Sequence, residues 1–184
     1  MLIVMSGVSG SGKNTVIEKL MSLCDDFKIF QSATTRKPRA NEEEKGVYIF
    51  LTKEQFENKI KEGEFFEFEK VHENFYGILK RELDLVRKNT QYNYIRDIDV
   101  NGNLKLRKYF SKEEILSIFL DAPDEILKER LKTRGESEES LNLRLSRAEF
   151  ERSHKKEYDL IIENINLDKT IKTILEEIKK RKFG

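Results

Sequence analysis

Cysteine is nearly missing from this chain: Cys24 is the single one in 184 residues. One thiol makes neither an internal disulfide nor a thiolate zinc site, so a disulfide scaffold and dithiol redox chemistry are excluded, and a reducing compartment is expected. An excess of one charge is missing too. The 35 basic and 34 acidic residues leave a formal charge of +1, which removes the global field that general nucleic-acid or anionic-membrane binding uses. Any anion site must be local. No segment approaches the roughly 18 apolar residues that span a bilayer, and the apolar start from Met1 to Met5 lacks the basic lead and longer apolar region of a signal peptide. A soluble, cytoplasmic protein without nucleic-acid or membrane partners is expected. Internal repeats, low-complexity tracts and Pro-rich linkers are absent, so one compact domain carrying packed insertions is the expected organisation. Core material is plentiful by contrast. Hydrophobic residues make up 38% of the chain, with 12 Phe and 6 Tyr, enough at this size to bury roughly 70% of the unfolded surface.

Leu2-Ile3-Val4-Met5 is a continuous apolar run, the signature of a strand buried on both faces. A glycine-rich turn follows, and then Val16, Ile17, Leu20, Met21 and Cys24 recur at helical spacing. Tyr92 to Ile98, Ile115 to Leu120 and Tyr158 to Ile162 read as further strands, and Leu167, Ile171, Ile174, Leu175 and Ile178 form one stripe of a closing helix. The alternation predicts an α/β fold, a parallel sheet covered by helices in three layers. Two stretches interrupt it. Residues 32–80 combine the alternating Glu64-Phe65-Phe66-Glu67-Phe68-Glu69 with a helix begun by a Thr52/Gln55 capping box, an inserted α+β lobe. Residues 123–150 open at Pro123 and cluster arginines on two helical segments around Gly135, a mobile helical lid. The core is then 1–31, 81–122 and 151–184.

Gly7-Val8-Ser9-Gly10-Ser11-Gly12-Lys13-Asn14-Thr15 lies between the first strand and its helix, the context a phosphate-binding P-loop requires. Glycines let backbone N–H groups converge on an anion, the helix N-terminus adds partial positive charge, and Lys13 reaches the terminal phosphates. A hydroxyl residue normally follows the lysine to meet Mg²⁺; here Asn14 stands in its place. Asp97-Ile98-Asp99 ends a strand, at the sheet edge where ligands bind in such folds. Strand alternation predicts that Asp97 and Asp99 point to the same side, and Asp97 is a candidate for holding Mg²⁺ through water. In the lid, Arg130 and Arg134 share a helical face, with Arg144 and Arg147 on the next helix; like charges stacked this way call for an anion.

These residues, together with Ser32-Ala33-Thr34-Thr35-Arg36-Lys37-Pro38-Arg39, Glu42, Gly46, Tyr48, Glu67, Tyr76-Gly77 and Arg134-Gly135, resemble the guanylate kinase family over nearly the whole chain. The resemblance implies a P-loop NTPase fold whose 32–80 lobe binds GMP, with lobes that close. It implies transfer of the γ-phosphoryl of ATP to GMP (or dGMP), giving ADP and GDP, with Mg²⁺, by a monomer or homodimer. It assigns the GMP phosphate to Arg36, Arg39, Tyr48 and Tyr76, guanine to Ser32, Glu67 and Asp99, and orientation of the arginines to Glu42. ATP falls to residues 7–15, Arg130, Arg134 and, for adenine, Asn164, which also suits a simple turn. Lys13, Arg36, Arg134 and Arg144 become the catalytic charges. The chemistry of the residues agrees: arginine forks match phosphate oxygens, and a carboxylate such as Glu67 accepts both the N1–H and the exocyclic amine of guanine, which adenine does not offer.

Three features depart from the family pattern: Asn14, Ile78 where a hydroxyl residue usually follows Tyr-Gly, and a lid loop one residue short between Arg134 and Arg144. Two other readings stand beside the enzyme. One is a phosphopeptide-binding module, which usually carries a degraded P-loop; the other is a P-loop kinase for a different phosphorylated acceptor, made conceivable by Ile78.

Overall fold

In a computed structural model of the chain, residues 1–38, 42, 46–71, 73–133, 135 and 137–183 are described. In chain order the elements are β1 (Leu2–Gly7), α1 (Lys13–Leu23), β2 (Phe27–Ile29), β3 (Ser32–Thr34), β4 (Tyr48–Phe50), α2 (Lys53–Lys61), β5 (Phe65–Val71), β6 (Asn74–Leu79), α3 (Lys80–Lys88), β7 (Asn93–Asp97), α4 (Val100–Tyr109), β8 (Ile115–Asp121), α5 (Asp124–Thr133), α6 (Glu138–Ser153), a 3₁₀ turn (Lys155–Glu157), β9 (Leu160–Glu163) and α7 (Leu167–Phe183). They divide into two compact units, residues 1–27 with 95–184, and residues 28–94. The divide passes through β2 and β7.

A five-stranded sheet ordered β2-β7-β1-β8-β9 carries the first unit. The β1–β8 and β8–β9 pairings are parallel, with Gly7 opposite Leu120. Every residue of β1 is buried, as are Ile115 to Leu120 of β8, which is why both read as unbroken apolar runs: helices cover both faces. β1 is the central strand, so its carboxyl end delivers the glycine loop to the middle of the sheet edge. Gly7 sits at φ +138°, and a Cβ there would stand 1.9 Å from the Leu120 carbonyl oxygen; only glycine passes that close to β8.

The strand after Tyr158 begins later than its aromatic suggests. Tyr158 follows the 3₁₀ turn and packs edge-on against Phe119 with centroids 5.2 Å apart; this burial imitates a strand position, while β9 itself starts at Leu160. The segment expected as a lid forms α5 and α6, whose Leu127, Leu131, Leu141 and Ala148 are buried.

The second unit holds a four-stranded sheet ordered β4-β3-β6-β5, within which the expected 32–80 lobe falls. Its core is Ala33, Phe56, Phe65 and Leu79, with Phe56 stacked on Phe65 and Phe75 at 4.3 and 5.3 Å. The Thr52/Gln55 capping box is formed, each side chain bonding the other residue's backbone N–H. The alternation over 64–69 is interrupted: a register shift between Phe65 and Glu67 leaves Phe68 on the same face as Phe65, its ring 5.9 Å from Phe65 and 6.4 Å from Phe56 though still 46% exposed.

Asp159 fastens the back of the first unit. Its Oδ2 accepts from the Ser117 N–H and hydroxyl at 2.8 Å each, and Arg107 Nη1 lies 2.7 Å from Oδ1. Burial raises the Asp159 pKa, but the Ser117 donors and Arg107 outweigh it and hold the carboxyl below its ordinary value. A depressed folded-state pKa contributes stability that is present above the unfolded value and disappears as pH falls through the folded one. Asp159→Asn is therefore expected to cost about 2 kcal/mol in urea unfolding at neutral pH, with the gap between wild type and variant narrowing as pH falls below the ordinary aspartate range. A gap that persists unchanged into acid would show that the charge is not what matters.

Candidate active site

The glycine loop is built from both ends. Gly12, at φ +92°, caps α1 in the left-handed region, where its missing Cβ leaves room for the Asn164 amide nitrogen, 2.7 Å from the position a Cβ would take. Val8 is fully buried against Ala122, Leu127 and Ala148, so α5 and α6 support the loop from beneath. Lys13, at the first position of α1, folds back with Nζ donating to the carbonyls of Gly7 at 2.6 Å and Val8 at 3.1 Å. Ser11 N–H closes the turn onto Val8 O at 3.1 Å. Asn14 and Thr15 are exposed in the first turn of α1.

Arg130 and Asn164 act on the loop from behind. Arg130 donates to the carbonyls of Gly10 and Ser11 at 3.4 Å each and to Asn164 O at 2.9 Å. The Asn164 Nδ2 donates to Ser11 O at 2.7 Å, and its Oδ1 accepts from the Thr170 hydroxyl at 2.8 Å. Both ends of that amide are engaged with the protein, so Asn164 serves the loop rather than presenting its side chain as a simple turn residue would. Arg144 Nη1 reaches Ser9 Oγ at 2.9 Å. Arg134, expected among the catalytic charges, lies outside the described residues.

The acidic strand end takes a form that alternation does not reach. Ile98 N–H donates to Met5 O at 3.1 Å and Ser6 Oγ to Ile98 O at 2.6 Å, which sets the end of β7 beside the end of β1. Asp97 is the last strand residue, 44% exposed, with Arg96 Nε 3.7 Å away. Asp99 is past the strand. It caps α4, its Oδ1 accepting from Gly102 N–H at 2.7 Å, so the rule that alternate strand residues share a side does not govern it. Among the described residues no three His, Cys, Asp or Glu side chains gather as a metal cage. Hard oxygen donors at Asp97 and Asn14 fit a Mg²⁺ ion that keeps its waters and takes other oxygens from phosphate.

The second unit carries its own cluster. Arg36 is held by a two-oxygen contact to Glu42 at 2.9 and 3.0 Å, donates to Lys37 O at 2.7 Å, and lies over the rings of Tyr48 and Phe50 at 5.5 and 6.0 Å. Tyr48 meets Tyr76 edge-on at 6.3 Å. Burial opposes the Arg36 cation, yet Glu42 and Tyr76 more than offset it and its pKa is raised. The result is a cation fixed among hydroxyls and rings, chemistry suited to a phosphate. Ser32 opens β3, partly buried; Arg39 lies outside the described residues. Glu67 is half-buried with Oε2 sealed from solvent, because the bulge beside it re-aims the strand. Opposite it in register is Ile78, 6% exposed.

A buried strand, a glycine loop braced on its carbonyl side and a helix opened by lysine define a P-loop nucleotide-binding protein. The chain belongs to the guanylate kinase family, whose model matches residues 1–181. The guanylate kinase of Rickettsia felis is 36% identical over 97% of this chain and 92% of its own, and that of Chlorobaculum tepidum is 40% identical over 96% and 91%. The crystal structure of guanylate kinase from Anaplasma phagocytophilum superposes with a TM-score of 0.73 at 27% identity, covering 100% of this chain and 87% of that one.

Glu151, on α6, was not among the residues the sequence singled out, although it faces the loop. Its signal was periodicity: Arg144, Ala148 and Glu151 recur at i, i+4 and i+7 on one helical face.

The brace makes a prediction. Asn164→Ala leaves Ser11 O with only the longer Arg130 contact and takes the acceptor from the Thr170 hydroxyl; it is expected to cost about 2 kcal/mol in denaturant unfolding, with weaker ATP binding by calorimetry. Unaltered stability and ATP affinity would contradict the brace.

Proposed function

We propose that this chain is a guanylate kinase, transferring the γ-phosphoryl group of ATP to GMP to give ADP and GDP. The observation that carries the reading is an intact phosphate loop, Lys13 included, in a chain that belongs to the family along residues 1–181. That loop also weighs against the phosphopeptide-binding module, for which a phosphate-loop lysine has no use.

Residues 7–15 bind the triphosphate, with backbone N–H groups and the α1 N-terminus supplying positive potential. On the arrival of phosphate, Lys13 exchanges its two loop carbonyls for phosphate oxygens. Arg144 and Arg134 neutralise the phosphoryl group in transit, and Arg130, with Asn164, keeps the loop in shape. Arg36, fixed by Glu42, holds the GMP phosphate with Arg39, Tyr48 and Tyr76, while Ser32, Glu67 and Asp99 recognise guanine. Phosphoryl transfer needs little covalent help, so positioning and charge neutralisation supply most of the rate. No general base is assigned. Asp97, through water, and Asn14 would hold Mg²⁺, which when bound neutralises phosphate charge. The roles of 32–80 as the GMP lobe and 123–150 as a closing lid, the acceptance of dGMP, a monomeric or homodimeric state and a cytoplasmic location belong to the same reading. Among the described residues no helix is long and apolar enough to cross a membrane.

Lys13→Ala is expected to lower kcat for GDP formation roughly a hundredfold or more while leaving the circular dichroism spectrum and thermal midpoint close to wild type. A folded Lys13→Ala protein with normal turnover would refute the reading.

A further inference from the structure

On the face of α6 that meets the phosphate loop, Arg144, Ala148 and Glu151 recur at helical spacing, and the first two explain themselves. Ala148, 3% exposed, packs against Val8, and Arg144 bonds Ser9 Oγ at 2.9 Å. Glu151 is different. Its Oε2 is sealed from solvent without a hydrogen-bond partner, a costly position for a carboxylate. Burial pushes its pKa up; Lys13, the Ser9 backbone N–H and Arg147 oppose the rise, and Asp99 adds to it. The buried Tyr158 hydroxyl also lies within the field of Glu151 and Asp99. Of the groups that sustain the Glu151 charge, Lys13 and the Ser9 N–H are phosphate-binding groups of the loop.

We infer that Glu151 is the internal counter-anion of the phosphate loop: it balances Lys13 and the Ser9 N–H in the nucleotide-free chain, and so sets how tightly a polyphosphate binds. The inference rests on the reading of the loop as the triphosphate site. An arriving polyphosphate brings oxygens to the same donors and negative charge to the neighbourhood of a poorly solvated carboxylate, so the two anions oppose each other. Lys13 is then held in two ways between turnovers, by the Gly7 and Val8 carbonyls and by the charge of Glu151. Glu151 touches no reacting atom in this account. It is a positioning residue whose effect is read in affinity.

The test is calorimetric titration of wild type and Glu151→Gln with inorganic pyrophosphate, ATP and GMP. Glutamine keeps the volume and an acceptor oxygen and removes the charge. The dissociation constants for pyrophosphate and ATP are expected to fall roughly five- to tenfold, with that for GMP unchanged and the thermal midpoint no lower. Glu151→Met, which fills the space with no acceptor, must tighten polyphosphate binding as well, and covers the case in which the glutamine variant folds poorly. Tight ATP binding by wild type, with equal or weaker binding by folded variants, overturns the inference alone. Failure of wild type to bind either polyphosphate overturns the triphosphate site and the inference with it.

Discussion

A loop that turns its backbone N–H groups toward one anion turns its carbonyls the other way, and each of those needs a donor. This chain supplies them one by one. Gly7 O and Val8 O receive Lys13, Gly10 O and Ser11 O receive Arg130, Ser11 O also receives Asn164, and Gly12 O receives the Val16 N–H of α1 at 3.0 Å. The donors come from α1, α5 and the turn after β9, so the sheet and helices of the first unit converge on a stretch of nine residues. The same logic explains the glycines. Gly7 passes against the Leu120 carbonyl and Gly12 against the Asn164 amide at distances that exclude a Cβ.

The second unit solves a related problem with side chains. Arg36, proposed to meet a phosphate, is fixed by the Glu42 carboxylate on one side and by aromatic faces on the other. Fixing a cation before its anion arrives lowers the entropy cost of binding. The bulge between Phe65 and Glu67 also places a side chain: it sets Glu67, opposite Ile78, on the other face from Phe65 and Phe68, with one carboxylate oxygen sealed from solvent. Ile78 opposite it gives that carboxylate an apolar neighbour where the family usually has a hydroxyl.

Much of this was legible in the residues. Unbroken apolar runs in β1 and β8 announced strands covered on both faces, the glycine-lysine loop announced its own place between strand and helix, and Thr52 with Gln55 announced the start of α2. What the sequence did not disclose depends on contacts between distant segments. Tyr158 looked like a strand residue because burial against Phe119 has the same composition as burial in a sheet. Asp99 looked like a strand neighbour of Asp97 because alternation does not reveal where a strand stops and a cap begins. Asn164 gave no sign of its bond to Ser11, since the two lie far apart in sequence, and Glu151 was hidden among the charges of α6, a helix that is mostly exposed. Local pattern identifies elements; the partner of a polar group is a tertiary fact.

The central claim is phosphoryl transfer from ATP to a guanine nucleotide. It is tested most directly by the initial rate of ADP formation from ATP and Mg²⁺ with GMP, AMP, CMP and UMP offered separately to purified, folded protein. The account predicts turnover with GMP and rates lower by roughly a hundredfold or more with the other three, since the wrong base leaves polar groups unpaired. Equal rates on GMP and AMP, or no turnover on any of the four, would contradict it.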